Sequence, residues 1–212
     1  MNLEITLYKE DVKMKRRTIL TALVLAAALL VSFASVFAGG LSSMEQGKKY
    51  VEARMWPQAI ATLKEEAKNS PENAEAHFLL GVCYVNTDEY YSAEERFDSA
   101  VAADKKGVYG HKIGEVWKNA GMFALNKGEI EKAKELFNKA ETYQPGIKQA
   151  IALDLLAKGK ELTQKSAYEQ ADRCFSVALS INSYLEKEAC KAYYSAGNAA
   201  GDEKWGVRQI CW

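Results

Sequence analysis

The side chains able to do covalent or metal chemistry are few, and their spacing does not favour catalysis. The chain has two histidines, His77 and His111, and four cysteines, Cys83, Cys174, Cys190 and Cys211. A zinc site needs His, Cys or carboxylate ligands at short intervals on one helix face; neither histidine has such a partner, and no Cys-x-x-Cys occurs. The Gly-x-Ser-x-Gly elbow of hydrolases and the glycine-rich phosphate loop with its lysine are also missing. Gly107-Val108-Tyr109-Gly110 has the outline of a nucleotide-backbone clamp, but lacks the mixed helix and strand setting such a loop needs, and reads as a linker. The sequence predicts no enzyme, no metal and no cofactor.

The elements that position these residues are set by a recurrence. Gly47, Gly81, Gly121 and Gly159 are each followed twelve residues later by Ala59, Ala93, Ala133 and Ala171. Four residues beyond each alanine stands a large apolar side chain: Leu63, Phe97, Phe137 and Phe175. In three units a further alanine follows, at Ala100, Ala140 and Ala178, which places small and bulky residues on one helix face. Two helices that cross closely need small residues at the crossing and a bulky plug beside it. Turn signals at Trp56-Pro57, Asn86-Thr87-Asp88, Lys127-Gly128 and Ser166 divide every unit into helix, turn, helix. The glycines lie 34, 40 and 38 residues apart, so insertions fall between units. The first surplus is expected in a flexible basic loop from Asp104 to Gly114 with Tyr109 exposed, a surface insertion or an extra contact for an acidic partner. The second, about one helical turn, is expected to lengthen a helix. A unit of this size cannot cover its own apolar face, so the units must stack.

These residues resemble the tetratricopeptide repeat family. His77, Leu80, Gly81, Tyr84, Ala93, Phe97 and Ala100 follow its signature in order, as do Trp117, Gly121, Ala133, Phe137, Ala140 and Pro145. The first unit keeps Gly47, Tyr50, Ala59, Leu63 and Pro71 with Glu66 in place of a small residue. The fourth has Leu155, Gly159, Leu162, Ala171, Phe175 and Ala178 without a closing proline. His77 stands where Trp117 stands in the next unit, which points to packing rather than ligation. The resemblance implies an all-α solenoid of about four repeats that binds other proteins on the inner face of each first helix. Helical periodicity assigns to that face Phe78, Val82, Val85 and Asn86; Lys118, Met122, Leu125 and Asn126; and Lys160, Thr163 and Gln164. The family's carboxylate clamp is not reproduced, because Met122 lies beside Lys118 where Asn is wanted, and an apolar or amphipathic helix suits the mixed groove better. The other reading has the chain's own C-terminal helix covering Phe78, Val82 and Met122. Glycan binding through aromatics is disfavoured, since Trp56, Tyr90, Trp117 and Tyr168 fall at packing positions.

The N-terminus predicts where the repeats reside. Lys13, Lys15, Arg16 and Arg17 precede an uncharged run from Thr18 to Ala38 that closes on Ser35-Val36-Phe37-Ala38, the pattern of a bacterial export signal. Cleavage after Ala38 would leave a periplasmic protein, and retention of the 21-residue run would leave an inner-membrane anchor. Both outcomes place the repeats outside the cytoplasm. Glu4, Glu10 and Asp11 are out of place before such a signal; Lys9-Glu10-Asp11 can be encoded by a ribosome-binding sequence, which suggests a start at Met14. Without residues 1–38 the chain has 23 Lys+Arg against 25 Asp+Glu, interleaved along helices, which argues against nucleic acid.

Export raises the question of disulfides. Cys83 and Cys174 belong to non-adjacent units and are expected as buried free thiols, while Cys190 and Cys211, flanking the last segment, form the candidate bridge. Glu186 to Ala200 starts an incomplete fifth unit, followed by Trp205, Ile210 and Trp212; it caps the stack or docks on another protein. The predicted organisation is therefore 1–13, a mis-assigned start or cytoplasmic extension; 14–38, a signal or anchor; 39–185, the repeats; and 186–212, the capping helix and tail. The expected role is an exported scaffold of the bacterial cell envelope that binds a protein or peptide without catalysis, touching the membrane only through an uncleaved N-terminus. The alternative is an accessory subunit of an envelope enzyme or of a secretion or assembly machine.

Overall fold

The computed structural model describes residues 42–200, without the side chains of residue 193 and residues 195–200. The export segment, the Met14 start, Trp205, Ile210, Cys211 and Trp212 lie outside the described residues. The chain divides into two compact units, 1–45 and 46–212. Of the first, the described part is a helix start: Ser42 Oγ accepts from the Glu45 N–H while Glu45 Oε2 accepts from the Ser42 N–H, each at 3.2 Å. This reciprocal capping box satisfies two amides the helix leaves unpaired.

All regular structure among the described residues is helical. In order the helices are α1 (Ser43–Glu52), α2 (Trp56–Asn69), α3 (Ala74–Asn86), α4 (Tyr90–Ala103), α5 (Tyr109–Lys127), α6 (Ile130–Tyr143), α7 (Ile147–Gln164), α8 (Tyr168–Ile181), a short 3-10 turn (Ser183–Leu185) and α9 (Glu186–Ala200). Within residues 46–212, α3 pairs with α4, α5 with α6 and α7 with α8; α2 packs on α3, and α9 packs on α7.

The hairpins close through the predicted plug. A Cβ on Gly121 would lie 2.5 Å from the Phe137 ring, and Gly159 stands in the same relation to Phe175 and Gly47 to Leu63. The Phe97 ring is seated against Gly81 in the same way. Such distances leave no space for a methyl group, so glycine is required by the close approach of backbone to ring. Phe97, Phe137, Phe175, Leu63 and the four alanines one turn before them are all buried. Each hairpin turn contains one residue in the left-handed region, seven after its glycine: Arg54 (φ 56°), Asp88 (62°), Gly128 (87°) and Ser166 (58°).

One expectation is corrected. The surplus between the second and third units is not a loop: α5 begins at Tyr109, and Ile113 and Gly114 are buried within it. The cause is local. Asp104 accepts from the backbone N–H groups of Lys106 at 3.0 Å and Tyr109 at 2.6 Å, which folds the short turn 104–108 and feeds the chain into a 19-residue helix. Tyr109 then stacks against Phe78, ring centroids 5.2 Å apart. The later surplus does lengthen a helix, α7, to 18 residues against 13 in α3. Glu66, the irregular residue of the first unit, accepts at 3.2 Å from Nδ2 of Asn73, whose Oδ1 accepts from the Ala76 N–H to cap α3.

α9 lies on α7 in the manner of a further first helix. Ala189 and Ala192 join Leu156, Ala171 and Phe175 in one buried cluster. Cys83 and Cys174 are buried free thiols, and burial pushes the Cys83 thiol up to about 12. Cys190 is disulfide-bonded. No described helix is long and apolar enough to cross a membrane.

Candidate functional site

First helices of neighbouring units lie side by side, and the space between them is where a solenoid of hairpins can receive something else. Between α3 and α5 this space is a groove of about 530 Å³. One wall is Val82, Val85 and Asn86 from α3; the other is Val116, Asn119, Ala120 and Phe123 from α5. The two hairpin turns at one end add Arg54 with Trp56 and Asp88 with Tyr90.

Behind the groove the packing is aromatic. Trp117 is fully buried behind the α5 wall, 5.9 Å from the Tyr90 ring and 5.5 Å, edge on, from Phe97. The walls are less covered: Phe123 is 60% exposed, with Lys127 Nζ 4.3 Å above its ring centre. The charges differ in how far they are committed. Asp88 accepts from the Tyr90 hydroxyl at 2.6 Å and faces Lys132 at 3.6 Å; the hydroxyl and the nearby lysines hold its carboxyl below the usual range. Arg54 and Asn119 make no ion pair or side-chain hydrogen bond among the described residues. Asn86 spends its amide hydrogen on the Val82 carbonyl at 2.8 Å.

The eleven residues assigned to the inner face separate into groups. Val82, Val85 and Asn86 line the groove. Phe78 is half-buried between Phe97 and Tyr109, with ring centroids at 6.1 and 5.2 Å. Lys118 is held by Glu115 at 3.3 Å and by Asp154 of α7 at 3.4 Å, and Asn126 accepts from Lys158 of α7 at 2.9 Å. Both therefore fasten α5 to α7. Met122 is half-buried. Lys160, Thr163 and Gln164 border a shallower depression of about 230 Å³ against Glu188, Lys191 and Ala192 of α9, where Lys160 meets Glu188 at 3.4 Å. Two assignments are corrected: Leu125 is 2% exposed and Thr163 is 6% exposed, its hydroxyl donating to the Lys160 carbonyl at 2.7 Å. Both turn toward the packed side. Cys190 is disulfide-bonded, and Cys211, its expected partner, lies outside the described residues.

Periodicity alone missed Arg54, Trp56, Asp88, Tyr90, Val116, Asn119, Ala120 and Phe123. A usable signal was present. Val116, Asn119 and Phe123 stand five and two residues before, and two after, Gly121, on the flank of α5 that turns to the preceding unit; Arg54 and Asp88 share one position in consecutive hairpin turns. His77 packs as expected, 6% exposed with Nε2 3.0 Å from the Pro71 carbonyl oxygen. Among the described residues no group of three His, Cys, Asp or Glu side chains is placed to hold a metal ion.

Sequence models of the tetratricopeptide repeat match residues 44–108 and 114–146. A solved structure described as "Crystal structure of MamA" is similar at 18% identity and a TM-score of 0.37, over 78% of this chain and 90% of that one. No curated protein matches the chain.

Proposed function

With tetratricopeptide repeats over residues 44–108 and 114–146 as the framework, a protein–protein interaction scaffold is indicated, and we propose that this chain is an exported one, holding a partner in the groove between α3 and α5. The observation that carries the reading is that groove: apolar walls, an exposed Phe123 and unengaged polar groups at Arg54 and Asn119. Residues that neither pack nor pair in the isolated chain are the ones a partner can use.

The test is site-specific photocrosslinking in intact cells. A benzophenone side chain at position 123 should capture a partner protein, while the same group at Tyr91, which is 77% exposed but outside the groove, should not. Equal capture at both positions would refute the groove as the binding surface. A captured protein with its own catalytic domain would favour the accessory-subunit reading. Export rests on the basic cluster Lys13 to Arg17, the apolar run to Ala38 and the small residues before Gly39. Alkaline phosphatase fused after Gln46 should be active if the segment exports the repeats, and inactivity would exclude it.

A further inference from the structure

We infer that the segment received by the α3–α5 groove presents an apolar side chain flanked by acidic residues; this deepens the scaffold reading and rests on it. Three observations combine. The walls offer Val82, Val85, Val116, Ala120 and Phe123 to an apolar group. At the turn end stands the Arg54 guanidinium with no counter-ion among the described residues, and on the other side Lys127 lies over Phe123 without an ion pair. The one carboxylate in the lining, Asp88, is already occupied by Tyr90 and Lys132. The groove thus carries, at Arg54, positive charge without a counter-ion beside an apolar centre, and the complementary ligand is an apolar group with a negative one next to it. Asn119, also unengaged, is suited to the peptide backbone of such a ligand, since its side-chain amide offers both a donor and an acceptor.

Arg54 shares its left-handed position with Asp88, Gly128 and Ser166 of the other hairpin turns, and the same pair of backbone hydrogen bonds closes each turn, so the turn fixes the backbone that presents the guanidinium at the end of the groove.

The experiment is panning of a phage-displayed library of random short peptides on the purified full chain, followed by affinity measurements with a recovered peptide. Recovered sequences should place Asp or Glu beside Leu, Phe, Trp or Ile, and binding should weaken as salt is raised. Arg54→Glu should weaken binding about fivefold or more, Arg54→Lys should retain most of it, and Phe123→Ala should weaken it comparably. Phe123 is exposed and Arg54 unpaired, so circular dichroism should show all three variants folded. Basic or charge-free peptides, an unaltered affinity in Arg54→Glu, or no recovered binder would overturn the acidic ligand. If Phe123→Ala weakens binding and Arg54→Glu does not, the groove stands and only the charge assignment fails. If neither weakens it, the scaffold reading of the groove fails as well.

Discussion

Replacing Phe137 by alanine would empty the space beside Gly121, and a buried aromatic lost from a close-packed crossing costs about 3–5 kcal/mol. Lys118→Ala removes only partly exposed ion pairs and should cost less than about 1 kcal/mol. Urea unfolding of both variants measures the contrast, and similar losses would contradict the plug. Arg54→Gly tests the left-handed turn: relief of a strained φ should raise stability by about 1 kcal/mol, read as a higher denaturation midpoint at unchanged slope. Cys83, buried and with its thiol raised to about 12, should resist alkylation at pH 8 in the folded chain and react in urea. The plugs and the two buried thiols were legible because glycine, alanine and the aromatics recur at fixed separations. The errors at Leu125 and Thr163 have a geometric cause. A residue four after the glycine is rotated only about 40° from it, at the margin of the packed face, where Leu125 and Thr163 are buried and Val85 is half-buried beside the groove; one five after is about 140° away, as exposed Asn86, Asn126 and Gln164 are.

At the scale of elements, the connections between units depend on carboxylates that bind backbone amides. Asp104 folds the turn before α5, and Glu141 accepts from the N–H groups of Gly146 at 2.8 Å and Lys148 at 2.9 Å at the start of α7. These bonds hold both carboxyls below their ordinary range. A depressed folded-state pKa means stability that is present above the unfolded value and lost as pH falls through the folded one. The melting temperature should therefore drop as pH is lowered through and below the usual carboxylate range, and Asp104→Asn with Glu141→Gln should flatten that dependence. An unchanged profile in the double variant would show that these turns are not acid-sensitive. The helices and turns were legible from Trp56-Pro57, Lys127-Gly128 and the apolar period. The 104–114 segment was not, because its three glycines and its lysines read as loop, whereas Asp104 capping the turn and Ile113 entering the core make it helix.

Over residues 46–200 the molecule is a row of hairpins, each closed most tightly on itself and stacked on its neighbours. Two ties span consecutive second helices at the same interval: Lys139 to Glu94 and Tyr143 to Asp98, each at 2.6 Å. They fix how α6 sits on α4, alongside the aromatic contacts that gather on Trp117. The stacking principle was legible from the repeat spacing; the groove was legible only on its α3 side, because its other wall depends on which flank of α5 meets the preceding hairpin, a relation between units that no single repeat encodes. Trp117 is the point where that relation becomes measurable. Its indole N–H is buried without an acceptor, and three aromatic or charged groups, Tyr90, Phe97 and Lys139, press on the ring from the second and third hairpins. Water reaching this indole requires those two hairpins to part. With Trp56, Trp205 and Trp212 replaced by phenylalanine, its emission becomes an optical gauge of that seam: a red shift preceding the loss of helical circular dichroism would reveal a chain that unzips at its middle, and a coincident one would reveal a single cooperative body.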